Sequence, residues 1–183
     1  MAQKKVNAVI HSQEKLAEGI YSMWLDAPEM AKAAAPGQFI AVYTNDQSKL
    51  LPRPISICEA DKENGRLRIV YRIAGAGTKE FSAYKEGDTL DIMGPLGNGF
   101  PLKKKKAFLI GGGIGIPPML ELAKNLDCEK TAVIGYRDKD TFLADELRKY
   151  ADVVIATEDG SVGTKGNVID AIRAEKLTAD IIY

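Results

Sequence analysis

From Val6 to about residue 100, apolar and polar side chains alternate with period two in six short stretches. These are Val6-Ala8-Ile10, Ile20-Ser22-Trp24, Ile40-Val42, Ile55-Ile57, Leu67-Ile69-Tyr71 and Leu90-Ile92. That period places one face of each segment inward and marks half-buried strands. Turn residues separate them at Pro36-Gly37, Asn64-Gly65 and Glu86-Gly87-Asp88, so the pattern predicts a small six-stranded antiparallel barrel. One helix, Thr78 to Tyr84, interrupts it, with Thr78 as the expected N-cap after Gly75-Ala76-Gly77. Past Ala107 the rhythm changes. Apolar runs at 107–110, 131–135, 152–156 and 179–183 alternate with helical periods at 117–126, 141–150 and 167–175. Repeated units of this kind predict a doubly wound parallel sheet. Two domains are therefore expected, at 1–101 and 102–183. Lys103 to Lys106 between them reads as a solvated connector. Ala179 to Tyr183 reads as the opening of a core strand with nothing to close it, so the α/β domain is expected to be incomplete at its C-terminus.

The junction of the first α/β strand and helix carries the most chemistry. After Ala107 to Ile110 come Gly111, Gly112, Gly113 and Gly115, and then Pro117-Pro118 at the start of a helix with an apolar face of Met119, Leu120, Leu122, Ala123 and Leu126. Proline suits a first helical turn, where its missing N–H has no intrahelical partner. Glycines between strand and helix let backbone approach a pyrophosphate, which the helix N-terminus attracts. The stretch departs from G-x-G-x-x-G, because Ile116 and Pro117 interrupt that spacing, and no Gly-Lys-Ser/Thr of a Walker A loop follows. It reads as a dinucleotide-phosphate site; a plain strand-to-helix turn is the competing reading.

Composition narrows the rest. Twenty-five basic residues balance twenty-five acidic ones, leaving no bulk field to draw in nucleic acid or an anionic membrane. Residues 1–11 hold no apolar signal core, and no apolar run approaches the roughly 20 residues that span a bilayer. Two cysteines, Cys58 and Cys128, form neither a disulfide framework nor a metal spacing, so a reducing cytoplasm is expected. His11, the one histidine, lies in what reads as a polar N-terminal turn on the surface. No catalytic side chain and no metal ligands are singled out.

A barrel followed by a nucleotide-binding α/β domain is the division of labour of flavin oxidoreductases, which predicts a flavin signature in the barrel. The best stretch is Leu51-Pro52-Arg53-Pro54-Ile55-Ser56-Ile57. Arg53 offers a rigid fork of donors for phosphate, and Ser56 a hydroxyl for the edge of a flavin ring. Arg53-Pro54-Ile55-Ser56 resembles the Arg-x-Tyr-Ser motif of the ferredoxin reductase superfamily. Gly75-Ala76-Gly77-Thr78 resembles its pyrophosphate-binding helix start, and Gly94-Pro95-Leu96-Gly97-Asn98-Gly99-Phe100 its barrel-closing loop. Arg53 to Ser56, Pro95 to Phe100, Gly111 to Pro118 and Glu158 to Gly166 are together most similar to electron-transfer subunits of class B dihydroorotate dehydrogenase, collinear over the whole chain.

The resemblance implies a FAD-binding barrel at 1–101 and an NAD-binding α/β domain at 102–183. Arg53, Pro54, Ile55 and Ser56 would contact FAD, with Arg53 on the phosphates and Ser56 near the ring. Val70, Tyr71 and Arg72 would line it, Gly77 and Thr78 would offer amides to its pyrophosphate, and Gly111, Gly112, Gly113 and Gly115 would face that of NAD. Ile55 departs from the superfamily's aromatic position, so stacking by that side chain is lost. NAD rather than NADP is expected, although Gly135-Tyr136-Arg137-Asp138-Lys139-Asp140 offers both an acid for a ribose hydroxyl and bases for a 2′-phosphate. The family also continues past this strand with a Cys-Gly-Pro segment and four cysteines that hold a 2Fe-2S cluster. Two cysteines about seventy residues apart cannot bind one. The implied partner is the catalytic dihydroorotate dehydrogenase subunit, and the implied role is passage of electrons through FAD to NAD+ in pyrimidine biosynthesis. A stand-alone NAD(P)H–flavin or ferredoxin reductase, and a FAD-binding module without turnover, are the alternatives.

Overall fold

The computed structural model describes residues 5–46 and 48–183. The chain divides into two compact units, one running through Gly99 and the other covering Phe100–Tyr183.

In the first unit the strands are β1 (Lys5–Ala17), β2 (Ile20–Asp26), β3 (Phe39–Val42), β4 (Arg53–Asp61), β5 (Arg66–Arg72) and β6 (Thr89–Leu96). They close a barrel in the order β1-β2-β5-β4-β3-β6, and every neighbouring pair is antiparallel. Period-two positions supply its core, with Ile10, Met23, Leu25, Ile40, Ile57, Leu67, Ile69, Leu90 and Ile92 fully buried. Each such side chain contributes about 1.5–3 kcal/mol on leaving water. In β2 the phase differs from expectation, since Met23 and Leu25 are the large inward side chains while Ile20 and Trp24 are only half-buried. The six-stranded barrel expected from the alternation is the one observed.

Three further details differ from expectation. β1 is thirteen residues long and takes in His11, which is half-buried in a strand rather than sitting in a polar turn. A short helix, α1 (Pro28–Ala33), follows β2 and packs Met30 and Ala31 into the barrel core. Helix α2 (Ala76–Phe81) begins two residues before Thr78, so Gly75 is its N-cap and Thr78 lies inside the first turn. There the Thr78 hydroxyl accepts from the amides of Ala74 (2.9 Å) and Gly75 (3.2 Å). The hydroxyl reaches back to those amides from one turn inside the helix, which is why an N-cap assignment to Thr78 fails.

The second unit holds β7 (Ala107–Gly112), a 3-10 turn (Gly113–Gly115), α3 (Pro117–Asn125), β8 (Lys130–Tyr136), α4 (Ala144–Leu147), β9 (Asp152–Thr157), β10 (Thr164–Lys165), α5 (Val168–Ala174) and β11 (Ile181–Ile182). Its sheet runs β10-β9-β8-β7-β11, all parallel. On one face Phe108, Val133 and Ala156 pack with Ala171 of α5. The alternate positions Leu109, Ala132 and Ile134, also buried, point to the opposite face, where α3 lies against β7, β8 and α4. The doubly wound sheet is therefore present. Helix 141–150 contracts to α4 because Tyr136 donates to the Phe142 carbonyl (2.7 Å), their rings meet edge to face, and Leu143 turns left-handed at φ 65°.

The lysine run is solvated and paired: Lys104 meets Asp127 at 2.8 Å and Lys106 meets Glu129 at 2.7 Å. Tyr183 fixes the start of the second unit, since its phenol donates to the Pro101 carbonyl (2.7 Å) and accepts from the Lys103 amide (3.0 Å).

Candidate functional site

Arg53 opens β4. Its guanidinium donates through Nη1 to the carbonyl of Leu51 and lies close against Gly77 in the first turn of α2. A Cβ built on Gly77 would stand 2.2 Å from Arg53 Nε and 2.4 Å from Cζ, so only glycine admits the arginine in this position. Arg53 is thus brought beside Gly77 and Thr78, twenty-four and twenty-five residues further along the sequence. Thr78 consumes the amides of Ala74 and Gly75. The following amides, at the start of the helix, lack intrahelical acceptors as in any helix.

The other predicted barrel residues differ in what they present. Pro54 is exposed and Ser56 is half-buried, paired across the ladder with Phe39. Ile55 is 7% exposed and belongs to the barrel core. Val70 and Tyr71 are each 2% exposed. The Tyr71 hydroxyl donates to Gln13 Oε1 (2.8 Å), and its ring stacks on Tyr21. Burial raises its pKa far beyond the usual phenol value. Of that triplet only Arg72 stands free at the strand end.

Sequence reasoning missed a carboxylate beside this cluster. Glu80 Oε1 accepts from the Asn45 amide (2.7 Å), the Asp46 amide (3.3 Å) and the Tyr84 hydroxyl (2.6 Å), while Oε2 pairs with Lys49 Nζ (2.7 Å). Burial alone would raise the Glu80 pKa; the bonds from Lys49, Tyr84 and the two amides outweigh it and hold the carboxyl low. Burial and then the Glu80 bond push Tyr84 up to about 12. Asp46, bonded first by Ser48 and then by Lys49, is lowered to about 2. No local signal marks Glu80, because its partners on the β3–β4 connection lie more than thirty residues upstream.

In the second unit the glycine run divides. Gly111 and Gly112 finish β7, and Gly113 to Gly115 make the 3-10 turn ahead of α3. A Cβ on Gly111 would lie 3.0 Å from Ile116 Cα and 3.1 Å from the Gly115 carbonyl, so glycine lets the turn fold back on the strand. Around Gly112, Gly113 and Gly115 a Cβ would meet nothing within 4 Å. Bare backbone faces open space there, as close approach of a ligand requires. The run stands at the carboxyl end of β7, with β8 on one side and β11 on the other. That is the topological switch point, where open parallel sheets bind ligands. The loop after β9 closes on the neighbouring end, with the Glu158 amide donating to the Tyr136 carbonyl (3.1 Å) and the Asp159 amide to that of Arg137 (3.3 Å). Asp159 is held low by the hydroxyl and then the amide of Ser161. Asp138 accepts from the Asp140 amide (3.0 Å); Asp138 is half-buried and Asp140 exposed.

Among the described residues no cluster of metal-ligating side chains occurs, and no helix is long and apolar enough to cross a membrane. Cys58 is buried in β4, and Cys128 belongs to the other unit. A 2Fe-2S cluster takes four thiolates, and two cysteines do not fit one.

The sequence profile of the oxidoreductase FAD-binding domain matches residues 7–100. The electron transfer subunit of dihydroorotate dehydrogenase B (NAD(+)) from Streptococcus mutans is 46% identical, over 98% of this chain and 72% of its own length. That of a Geobacillus species is 39% identical, over 100% and 74%. The chain thus spans about seven-tenths of these relatives. Among solved structures, an NADH-dependent reduced ferredoxin-NADP oxidoreductase superposes with a TM-score of 0.86 at 31% identity, covering 94% of this chain and 64% of that one. Phthalate dioxygenase reductase gives 0.64 at 28%, covering 81% and 51%. Identity at this level across the barrel, the glycine turn and the loop after β9 means that the chain belongs to the family of dihydroorotate dehydrogenase B electron transfer subunits.

Proposed function

We propose that this chain binds FAD on its barrel and NAD on its α/β unit, as the electron-transferring flavoprotein part of a dihydroorotate dehydrogenase. The observation that carries the flavin assignment is the Arg53 guanidinium seated on Gly77, within the region matched by a FAD-binding profile. Arg53 directs a planar fork of donors at a diphosphate, and the amides of Gly77 and Thr78 add to it. Ser56 and Arg72 offer polar contacts at β4 and β5, and Pro54 a bare apolar one. Ile55, Val70 and Tyr71 act through backbone and by holding the barrel wall, since their side chains are buried.

On the α/β unit, Gly112, Gly113 and Gly115 leave backbone open to a dinucleotide pyrophosphate at the switch point. FAD, when bound, supplies the two-electron chemistry linking the partner's substrate to NAD+. The protein's share is binding and orientation. No side-chain acid or base is assigned. The partner is a catalytic subunit that oxidises dihydroorotate, and a cytoplasmic setting for pyrimidine synthesis belongs to the same reading. The cysteines present fit no iron–sulfur cluster, so none is assigned to these residues. The 31% identical oxidoreductase neighbour favours a second reading, in which the acceptor is a small redox protein and the chain serves as a reductase.

An absorbance titration of the purified chain with FAD tests the first claim. A bound flavin spectrum saturating at one FAD per chain is expected; a chain that takes up no FAD contradicts it. NADH formation from dihydroorotate on adding the catalytic subunit supports the dehydrogenase reading. Electron delivery to a ferredoxin without dihydroorotate oxidation favours the reductase.

A further inference from the structure

We infer that Glu80 is a positioning residue for Arg53, tying down the connection that delivers the arginine to its phosphate-binding place. The inference rests on the flavin reading above. Residues 43–46 and 48–52 join β3 to β4. The Glu80 carboxylate gathers donors from that connection at three points, the amides of Asn45 and Asp46 and the ammonium of Lys49, and a fourth from Tyr84 on its own side. Lys49 is further braced by Asp46 at 2.9 Å. The Glu80 side chain is only 17% exposed, so these bonds are little diluted by water.

The far end of the same connection is Leu51, whose carbonyl accepts from Arg53 Nη1. Three residues before Glu80 on α2 stands Gly77, against which the guanidinium lies. One carboxylate therefore joins the segment that orients Arg53 to the helix that supports it. The circuit runs from Glu80 to the connection, to the Leu51 carbonyl, to the guanidinium, to Gly77 and back along α2. Without Glu80 the connection is free to move, the Leu51 carbonyl moves with it, and Arg53 loses its fixed direction. Glu80 touches no phosphate itself.

The test compares FAD with riboflavin, which carries the ring but no phosphate, by quenching of flavin fluorescence on the full chain. Glu80→Ala is expected to weaken FAD binding by about tenfold, the scale of one charge-assisted hydrogen bond lost from a ligand phosphate. Riboflavin binding and the spectrum at saturating FAD should stay unchanged. Glu80→Gln keeps the Oε1 acceptor for the two amides but loses the Lys49 ion pair, and should fall between Glu80→Ala and the parent chain in FAD affinity. Equal loss of FAD and riboflavin binding, or no loss of either, would overturn the inference. Should Glu80→Ala fail to fold, Lys49→Met, which removes the half-buried partner of Oε2, decides. A loss for FAD but not for riboflavin supports the role, and no loss overturns it. A parent chain that takes up no FAD fails before any substitution, and so separates failure of the flavin reading from failure of this one.

Discussion

The guanidinium of Arg53 fills the space that any side chain at residue 77 would need, with its Nε 2.2 Å from where a Cβ would stand. Two residues from different elements are thus mutually dependent. Gly77→Ala must expel Arg53 while leaving the barrel core untouched. FAD affinity is expected to fall at least tenfold, the cost of losing one charge-assisted phosphate contact, while the unfolding midpoint shifts little. Parallel FAD titration and thermal unfolding of the variant check both halves.

Arg53 itself separates charge from shape. Arg53→Lys keeps the positive charge but loses the planar fork and the reach of Nη1 to the Leu51 carbonyl. Its FAD affinity should resemble that of Arg53→Ala more than that of the parent, with losses of roughly ten- to a hundredfold for a charge-assisted contact. Equal binding by the lysine variant and the parent would show that charge alone suffices.

The glycine turn permits a cleaner separation of fold from ligand. Gly112 has extended dihedrals and open space where a Cβ would go. Gly112→Ala should therefore fold with an unchanged midpoint, yet raise the NADH concentration for half-maximal flavin reduction by about tenfold, as a methyl group intrudes on close backbone approach. Gly111→Ala meets Ile116 and Gly115 backbone at about 3 Å and should lower the unfolding midpoint of the unit as well. Stopped-flow reduction at varied NADH, read beside thermal melts, distinguishes the two.

The Glu80 network sets an acid limit. Glu80 and Asp46 both have carboxyl pKa values lowered by folding, Asp46 to about 2. A group lowered by folding adds stability that is complete above its unfolded pKa and disappears as pH falls through the folded one. The midpoint difference between the parent and Glu80→Gln should hold constant from neutral pH down to about 5 and shrink below the ordinary carboxylate range near 4. Melts from pH 7 to pH 3 measure it. A difference that grew on acidification would contradict the assigned direction.

Much of this was legible in the chain because local periods carry it. Period-two alternation from Val6 to Ile92 yields the six barrel strands, and the glycines after Ile110 locate the turn at the sheet's switch point. What was hidden is non-local. β5 is buried on both faces from Leu67 to Tyr71, so alternation alone could not say that Val70 and Tyr71 would be enclosed while Arg72 stays free. Helix α1 lies in an alanine-rich stretch with too few large side chains to show a helical period. Thr78 carries the right side chain for a cap, but it serves from inside the first turn, a difference of register that propensity does not resolve. Glu80 resembles any surface glutamate of a helix until the β3–β4 connection is folded against it.

The central claim is that both cofactor sites exist on this chain, and anaerobic addition of NADH to the FAD-loaded protein tests it most directly. Bleaching of the bound flavin bands, saturable in NADH and weakened in Gly112→Ala, is the predicted result. Flavin bands that bind to the barrel but stay unchanged on adding NADH would contradict a nicotinamide site at Gly111 to Gly115.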